Sequence, residues 1–231
     1  MTKIASRHAS APPTRAALVA YAVVRTLIAV VFRLLFRVTI TGREHLPPDG
    51  SYVLAPGAHR SNLDTLVISM LTRRRLRYMG KDSLWRSRFG DWFLSALGGF
   101  PVNRGGADRE ALRQCLDVVA NGEPVVMFPE GTRESGPTIE VMHDGPVYVA
   151  AKAGVAIVPV GIGGSERAMP VGSKMIRPRK MTLIVGPPMT PPASSEGGRI
   201  KRSEIKETTE QLRVVLQDLF DRAQERAGVP R

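Results

Sequence analysis

The alternation of short β-like runs with helical patterns is the feature that most constrains the fold of this chain. The predicted strands are residues 38–41, 52–55, 76–79, 125–128, 156–162 and 181–185. Predicted helices lie between them at about 62–74, 82–97, 107–120 and 146–153, and several end at Gly or Asn-Gly. Strand and helix in turn predict an α/β fold with a mostly parallel central sheet flanked by helices.

The 231 residues are enough for one sizeable domain with smaller segments at its ends. Residues 1–13 are polar, basic and end in proline, which predicts a disordered basic tail. Residues 38–190 carry the alternating pattern and form the predicted domain. The C-terminal region, 191–231, contains the end of a Pro/Ser/Gly-rich linker and a charged amphipathic helix at about 203–226.

Residues 14–37 differ from the rest because they are strongly apolar but interrupted by arginines. No uninterrupted run approaches the roughly 18 to 20 apolar residues of a spanning helix. Wound as a helix, the segment places its four arginines within an arc of roughly 120°: Arg15, Arg25, Arg33 and Arg37. This predicts an amphipathic helix in a membrane interface, with arginines toward lipid phosphates. The alternatives are a core-packed helix, an uncleaved signal segment, and a strongly tilted or hairpin insertion.

The net charge indicates an anionic partner but does not identify which one. Lys+Arg 33 against Asp+Glu 21 gives a net charge of +12, which attracts polyanions or anionic membrane surfaces. The single cysteine, Cys115, excludes an internal disulfide and a multi-cysteine zinc cluster and suits a reducing compartment. No metal site is predicted.

The stretch PGAHRSNLDT, 56–65, follows a predicted strand and leads into a predicted helix. Ser61 as N-cap and Asp64 three residues later form a capping-box pattern, which explains Asp64 structurally. That pattern leaves His59 unexplained. If the chain turns back after His59, the Asp64 carboxylate can orient the imidazole, whose other nitrogen can then remove a proton.

Two further loops are candidate phosphate sites. FPEGTR, 128–133, follows an apolar strand and offers Gly131 for a tight turn, the Thr132 hydroxyl and the Arg133 guanidinium. GGFPVNRGG, 98–106, places Arg104 between glycine pairs. Taken alone, FPEGTR is equally well explained as a solvated surface turn.

Together these loops resemble the PlsC-type glycerolipid acyltransferases over roughly residues 38–190. The matching blocks are AHRSNLD, GGFPVNR, FPEGTR and AIVPVGI, the last centred on Pro159, in the family's order. The resemblance implies the glycerolipid acyltransferase fold and direct acyl transfer from acyl-CoA or acyl carrier protein to lysophosphatidate, giving phosphatidic acid without a cofactor. Glycerol 3-phosphate or another lysophospholipid is the alternative acceptor.

The resemblance also implies residue roles. His59 would be the general base and Asp64 its orienting carboxylate. Arg104 and Arg133 would hold the acceptor phosphate, while Glu130, Gly131 and Thr132 would shape the acceptor site. The chain departs from the family pattern at VMHDG, 141–145, where His143 and Asp144 stand in place of an expected lysine. Lys81 lies where relatives often have a lysine. It is equally well explained as a solvated charge at the start of a helix.

Three basic clusters, 72–77, 175–180 and 198–202, carry much of the excess charge. They are either solvated faces or contacts with anionic lipid headgroups. A basic nucleic-acid-binding protein is the competing class, but its basic runs would be expected to interleave aromatics, which these lack. We therefore expect no nucleic-acid binding. The expected localisation is the cytoplasmic face of the cell membrane, as a peripheral or monotopic protein.

Overall fold

The computed structural model describes residues 13–102, 108–194 and 199–229, and it has the predicted α/β architecture. Seven strands form one sheet in the order β1-β7-β6-β2-β5-β3-β4. Neighbouring strands are parallel except β6 and β7, so the sheet is mostly parallel as predicted. The strands are β1 Thr39–Thr41, β2 Val53–Gly57, β3 Arg77–Lys81, β4 Gly99–Val102, β5 Val125–Val126, β6 Ile157–Gly163 and β7 Thr182–Val185.

The described helices cover both faces of the sheet. They are α1 Arg15–Phe36, α2 Leu63–Ile68, α3 Arg88–Ala96, α4 Asp108–Ala120, α5 Gly145–Ala153, α6 Ser165–Ala168 and α7 Arg202–Ala227, with 3-10 turns at Arg43–His45 and Asp82–Trp85. The buried faces of α4, α5 and α7 form one hydrophobic cluster with the sheet. The buried faces of α1 and α2 form a second cluster. Helix α7 lies tight on β6, because a Cβ at Gly161 would be 2.4 Å from the Leu219 carbonyl carbon.

Helix α1 has two apolar faces: the core-packed alternative describes one of them, and the membrane-interface position of the other stays a prediction. One face packs on the domain through Tyr21, Ala29, Phe32 and other buried residues. The opposite face is apolar and exposed, at Val19, Val23, Leu27, Val30 and Leu34. The helix is long and apolar enough to cross a bilayer, by length and composition.

Arg25 corrects the prediction that the α1 arginines point toward lipid. Its Nε donates to the carbonyl oxygens of Ser69, at 3.1 Å, and Thr72, at 2.6 Å. Arg25 therefore ties α1 to the chain that follows α2. Arg15, Arg33 and Arg37 are exposed.

Two predicted helices are shorter or divided. The helix expected at 62–74 ends at Ile68. The next three amides, those of residues 69–71, donate to carbonyls three residues back, and the Met70 and Thr72 carbonyls accept from Arg43 and Arg25. The helix expected at 82–97 divides at Ser87, whose hydroxyl caps α3 by accepting from Gly90 N. Strand β4 was not predicted.

Three of the four arginines in the basic cluster 72–77 make internal contacts, while Arg73 is exposed. Arg74 donates to the carbonyls of Pro47, Gly50 and Gly122. Arg75 and the buried Arg77 both pair with Glu123. Three cations that the sequence offered to headgroups therefore hold loops at the amino ends of the strands.

Candidate active site

The central strand β2 carries the site. Its neighbour β5 is parallel, so both strands end at the same edge of the sheet and deliver the loops 58–62 and 128–133 side by side. Functional groups collect at such carboxyl ends in α/β sheets. Just past β2, buried Ala58 has a φ of +59°, a left-handed angle that is costly for a residue with a Cβ. This turn redirects the chain so that His59 stands at the edge of the sheet.

His59 and Asp64 are in direct contact. His59 Nδ1 lies 2.9 Å from Asp64 Oδ2, and the carboxyl is completely buried while the imidazole is 15% exposed. An ionised carboxylate only accepts, so Nδ1 carries the proton in this bond and Nε2 is left as the basic nitrogen. The pair has the geometry of a general base with its orienting acid.

Backbone amides support the Asp64 carboxylate. Oδ2 accepts from Arg60 N and Ser61 N, both at 2.8 Å, and Ser61 Oγ accepts from Leu63 N at 3.2 Å. These bonds resemble the predicted capping box, although α2 itself begins at Leu63 and Asn62 precedes it without a side-chain cap. Asp64 therefore begins a helix and holds His59 at the same time.

The 128–133 loop fixes the other side of the imidazole. The Phe128 ring stacks on His59 with centroids 4.0 Å apart. Glu130 Oε1 accepts from His59 N at 2.8 Å, so this carboxylate holds the backbone of the histidine. His59 is thus restrained through its ring face, its Nδ1 and its amide.

Glu130 lies behind the site, which differs from its expected place beside the acceptor. Its other oxygen pairs with Arg60 Nη1 at 2.6 Å, and both side chains are almost fully buried. Arg60 also donates to the carbonyls of Gly136, at 3.0 Å, and Thr138, at 2.9 Å. The pair therefore ties the histidine turn to the FPEGTR loop and to the segment after it.

The next three residues of that loop face a pocket of about 570 Å³. Gly131, Thr132 and Arg133 line it together with His59. Arg133 is held by Asn62, whose Oδ1 accepts from Nη1 at 2.6 Å. Gly131 has a φ of +71°, and a Cβ there would be 2.9 Å from the His143 ring, so this position needs glycine. His143 thus packs on the loop.

The pocket is lined by both charged and apolar side chains. Its charged lining residues besides His59 are Arg25, Lys81 and Arg133. Its large apolar lining residues are Val24, Ile28, Leu84, Trp85, Leu94 and Leu97. Charged and apolar lining together suit an amphipathic ligand.

The structure therefore groups His59, Asp64, Gly131, Thr132 and Arg133, and places Glu130 directly behind them. Arg104 lies outside the described residues. Sequence reasoning missed Asn62, Arg60 and Phe128, although all three stand inside the two blocks that it singled out. Their closeness in sequence to His59 and Glu130 was the only signal available. Which of these side chains contact the site depends on how the two loops fold, including the turn at Ala58.

Other reactive chemistry finds little support in the described part of the chain. No group of three or more His, Cys, Asp and Glu residues there is arranged to hold a metal ion. Cys115 is buried, and desolvation raises the pKa of its thiol to about 12, so a thiolate nucleophile is disfavoured.

Comparison with known proteins gives a consistent family. A family model described as Acyltransferase matches residues 37–163. A 1-acyl-sn-glycerol-3-phosphate acyltransferase of Chlamydomonas reinhardtii is 35% identical over 161 residues, covering 68% of this chain and 48% of that protein. The Bacillus subtilis (strain 168) protein of the same name is 26% identical over 163 residues, covering 70% of this chain and 78% of that protein.

The fold has a solved counterpart. The crystal structure of the 1-acyl-sn-glycerophosphate acyltransferase PlsC from Thermotoga maritima superposes with a TM-score of 0.70 at 24% identity, covering 86% of this chain and 77% of that one. The chain spans about half, or less, of the length of the algal and plant relatives that it matches.

Proposed function

This chain belongs to the acyltransferase family, and on that premise we propose that it is an O-acyltransferase that moves a fatty acyl group from an acyl thioester to the free hydroxyl of 1-acylglycerol 3-phosphate. The product is phosphatidic acid. The observation that carries the proposal is the His59–Asp64 pair at a pocket lined by both cations and apolar side chains. The names of the relatives support lysophosphatidate as the acceptor over glycerol 3-phosphate.

The proposed reaction is a direct transfer. His59 Nε2 removes the proton of the acceptor hydroxyl while the hydroxyl oxygen attacks the carbonyl carbon of the thioester. The C–O bond forms, the C–S bond breaks, and the thiol leaves with the proton carried by the imidazolium. Asp64 stabilises the imidazolium through Nδ1, and a thioester is activated enough that one base and charge stabilisation suffice.

Arg133 is the proposed phosphate contact, with the Gly131 turn and the Thr132 hydroxyl beside it. Asn62 supports this role because its bond to Nη1 orients the guanidinium fork while leaving the other donors available. Lys81 on the same wall adds a second cation. Arg104 keeps the phosphate role that the family resemblance implies.

The apolar lining of the pocket is the proposed binding surface for an acyl chain. It lies between α1 and α3, and α1 exposes apolar residues on its opposite face. We propose that this outer face rests in the membrane interface on the cytoplasmic side, as a peripheral or monotopic attachment, so that lipid substrates reach the pocket from the bilayer. Acyl-CoA or acyl carrier protein is the donor, and no other cofactor is required.

Thiol release from acyl-CoA in the presence of lysophosphatidate tests the proposal. His59→Ala should lower kcat by at least about 10³-fold, because no other histidine and no carboxylate lines the pocket among the described residues. His45→Ala is the matched control, since His45 bonds Val185 O at the end of β7 and should leave the rate unchanged. Activity that survives His59→Ala would remove the proposed base. An acceptor panel that includes glycerol 3-phosphate, with product position determined, identifies the acceptor.

A further inference from the structure

A second surface of the molecule has the composition of a membrane contact. The basic loop, defined here as residues 170–180, joins α6 to β7 and contains four cations: Lys174, Arg177, Arg179 and Lys180. The sequence has no acidic residue between Glu166 and Glu196. Within the described part of the chain, none of the four cations makes an ion pair with a carboxylate. The loop is therefore a concentrated positive charge without an internal counterion.

Apolar side chains alternate with these cations at the surface. Met175 is 63% exposed, Ile176 52% and Val171 39%. Loop tips in water rarely present adjacent large apolar residues, whereas interleaved apolar and basic residues suit the boundary between headgroups and acyl chains. The loop has an internal turn, since Ser173 N donates to Pro170 O and Ser173 Oγ accepts from Met175 N. The exposed side chains thus project from a defined turn.

The basic loop is attached beside the end of α1. Its last residue leads to Met181, whose N donates to Phe36 O at 3.0 Å, while Arg177 N donates to Ala168 O. Ala168 and Met181 lie in the same hydrophobic cluster as the buried face of α1. At this end α1 exposes Leu34, which is 75% accessible. The loop is therefore anchored beside the carboxyl end of α1.

We propose that the basic loop is a second membrane contact, which sets Met175 and Ile176 among the headgroups of an anionic bilayer while its four cations bind lipid phosphates. The inference rests on the proposed membrane attachment of α1 and deepens it. A helix that lies on a membrane still lets the domain rotate about the helix axis. A second membrane contact beside the carboxyl end of α1 would prevent that rotation. The mouth of the pocket is then held at a constant orientation to the bilayer.

Sedimentation of the full chain with vesicles tests the charge contribution. Arg177→Ser with Arg179→Ser should weaken binding to vesicles containing phosphatidylglycerol about 30-fold at low salt, from about a fivefold loss per cation. Binding to purely phosphatidylcholine vesicles should hardly change. The matched control is Arg202→Ser with Lys206→Ser, two exposed cations on α7 across the sheet, which should have little effect. Equal losses in the two double variants would overturn the proposal, because net charge alone would then explain them.

A fluorescent label tests the position of the loop directly. Cys115 is buried, so Ile176→Cys provides a selectively reactive thiol for an environment-sensitive dye. Its emission should shift to the blue on anionic vesicles, whereas the same dye at Val214→Cys, 56% exposed on α7, should not respond. An unresponsive dye at position 176, or a blue shift with duplex DNA in place of vesicles, would contradict the membrane assignment.

The two proposals fail separately. Acyl transfer to a short-chain lysophosphatidate below its micellar concentration needs the site but no bilayer, so the loop variants should keep the wild-type rate there. If the wild type lacks that activity, the proposed reaction is contradicted. The vesicle measurements then still test whether the basic loop contacts the membrane. Normal activity with loop-independent binding would count against the loop alone.

Discussion

At the scale of single residues, Glu130 shows how a motif position can act without touching substrate. Its carboxylate holds the His59 amide with one oxygen and Arg60 with the other. A buried ion pair contributes little net stability, yet breaking one side of it is costly because a charge is left unpaired. We therefore infer that Glu130 is a positioning residue, and that activity and stability can be separated at this pair.

Glu130→Leu should destabilise the protein by about 3 to 5 kcal/mol, because Arg60 is left buried and unpaired. The double variant Arg60→Met with Glu130→Leu should recover much of that loss, since apolar groups replace both charges. Its kcat should stay low, because the His59 amide no longer has its acceptor, while the KM for the thioester changes little. Urea unfolding and steady-state kinetics measure the two effects.

Glu123→Gln is the control for this pair, since Glu123 bonds Arg75 and Arg77 at the far ends of the strands. It should reduce stability and leave kcat unchanged. Wild-type kcat in the stabilised double variant would show that Glu130 serves the fold only.

At the scale of elements, α1 joins a structural role to the proposed membrane role. Its inner face completes one side of the core, and Arg25 bonds two carbonyls beyond α2. The outer face remains apolar and exposed. Because α1 also lines the pocket, changes in its attachment should reach the site.

Arg25→Ala should lower the free energy of unfolding by about 1 to 3 kcal/mol, since two carbonyls lose a charged donor. Thermal unfolding measures the loss, and the rate with a long-chain thioester should fall because Arg25 and its neighbours line the pocket. Arg33→Ala is the control, as its side chain is exposed, and it should leave the melting temperature unchanged. Equal melting temperatures for the two variants would mean that the Arg25 bonds do not anchor α1.

At the scale of the whole molecule, the interior between α1 and the sheet is rich in buried phenols. Desolvation raises the pKa of Tyr52 to about 12 and also raises those of Tyr21 and Tyr78. The Tyr52 hydroxyl has no hydrogen-bond partner among the described residues. Neutral phenols are thus favoured in the folded protein.

Stability should fall as the pH rises through about 10 to 12. In that window the unfolded chain releases protons that the folded chain retains, so the unfolded state binds fewer protons and its free energy drops relative to the folded state. Tyr52 contributes about 2 kcal/mol to this fall, from a shift of about two pKa units. Urea unfolding as a function of pH should show a shallower alkaline loss in Tyr52→Phe. An unchanged slope in that variant would exclude Tyr52 as a source.

The sequence by itself determined much of this protein. Periodicity and turn residues are local properties, so they predicted six of the seven strands, the mostly parallel sheet, α1 and α7. The four blocks predicted the family, which the comparisons confirm. The candidate residues His59, Asp64 and Arg133 were found because short motifs keep them close to glycines and to strand ends.

Only the tertiary structure decided which charges face inward. Nothing in the local sequence distinguishes Arg25, Arg60 and Arg77 from surface arginines. Each nevertheless bonds carbonyls or carboxylates that come from distant parts of the chain. The same holds for Glu130, whose place behind His59 depends on β5 lying beside β2. Local sequence fixes backbone tendencies, but the partner of a long charged side chain is set by packing between segments, which no short pattern encodes.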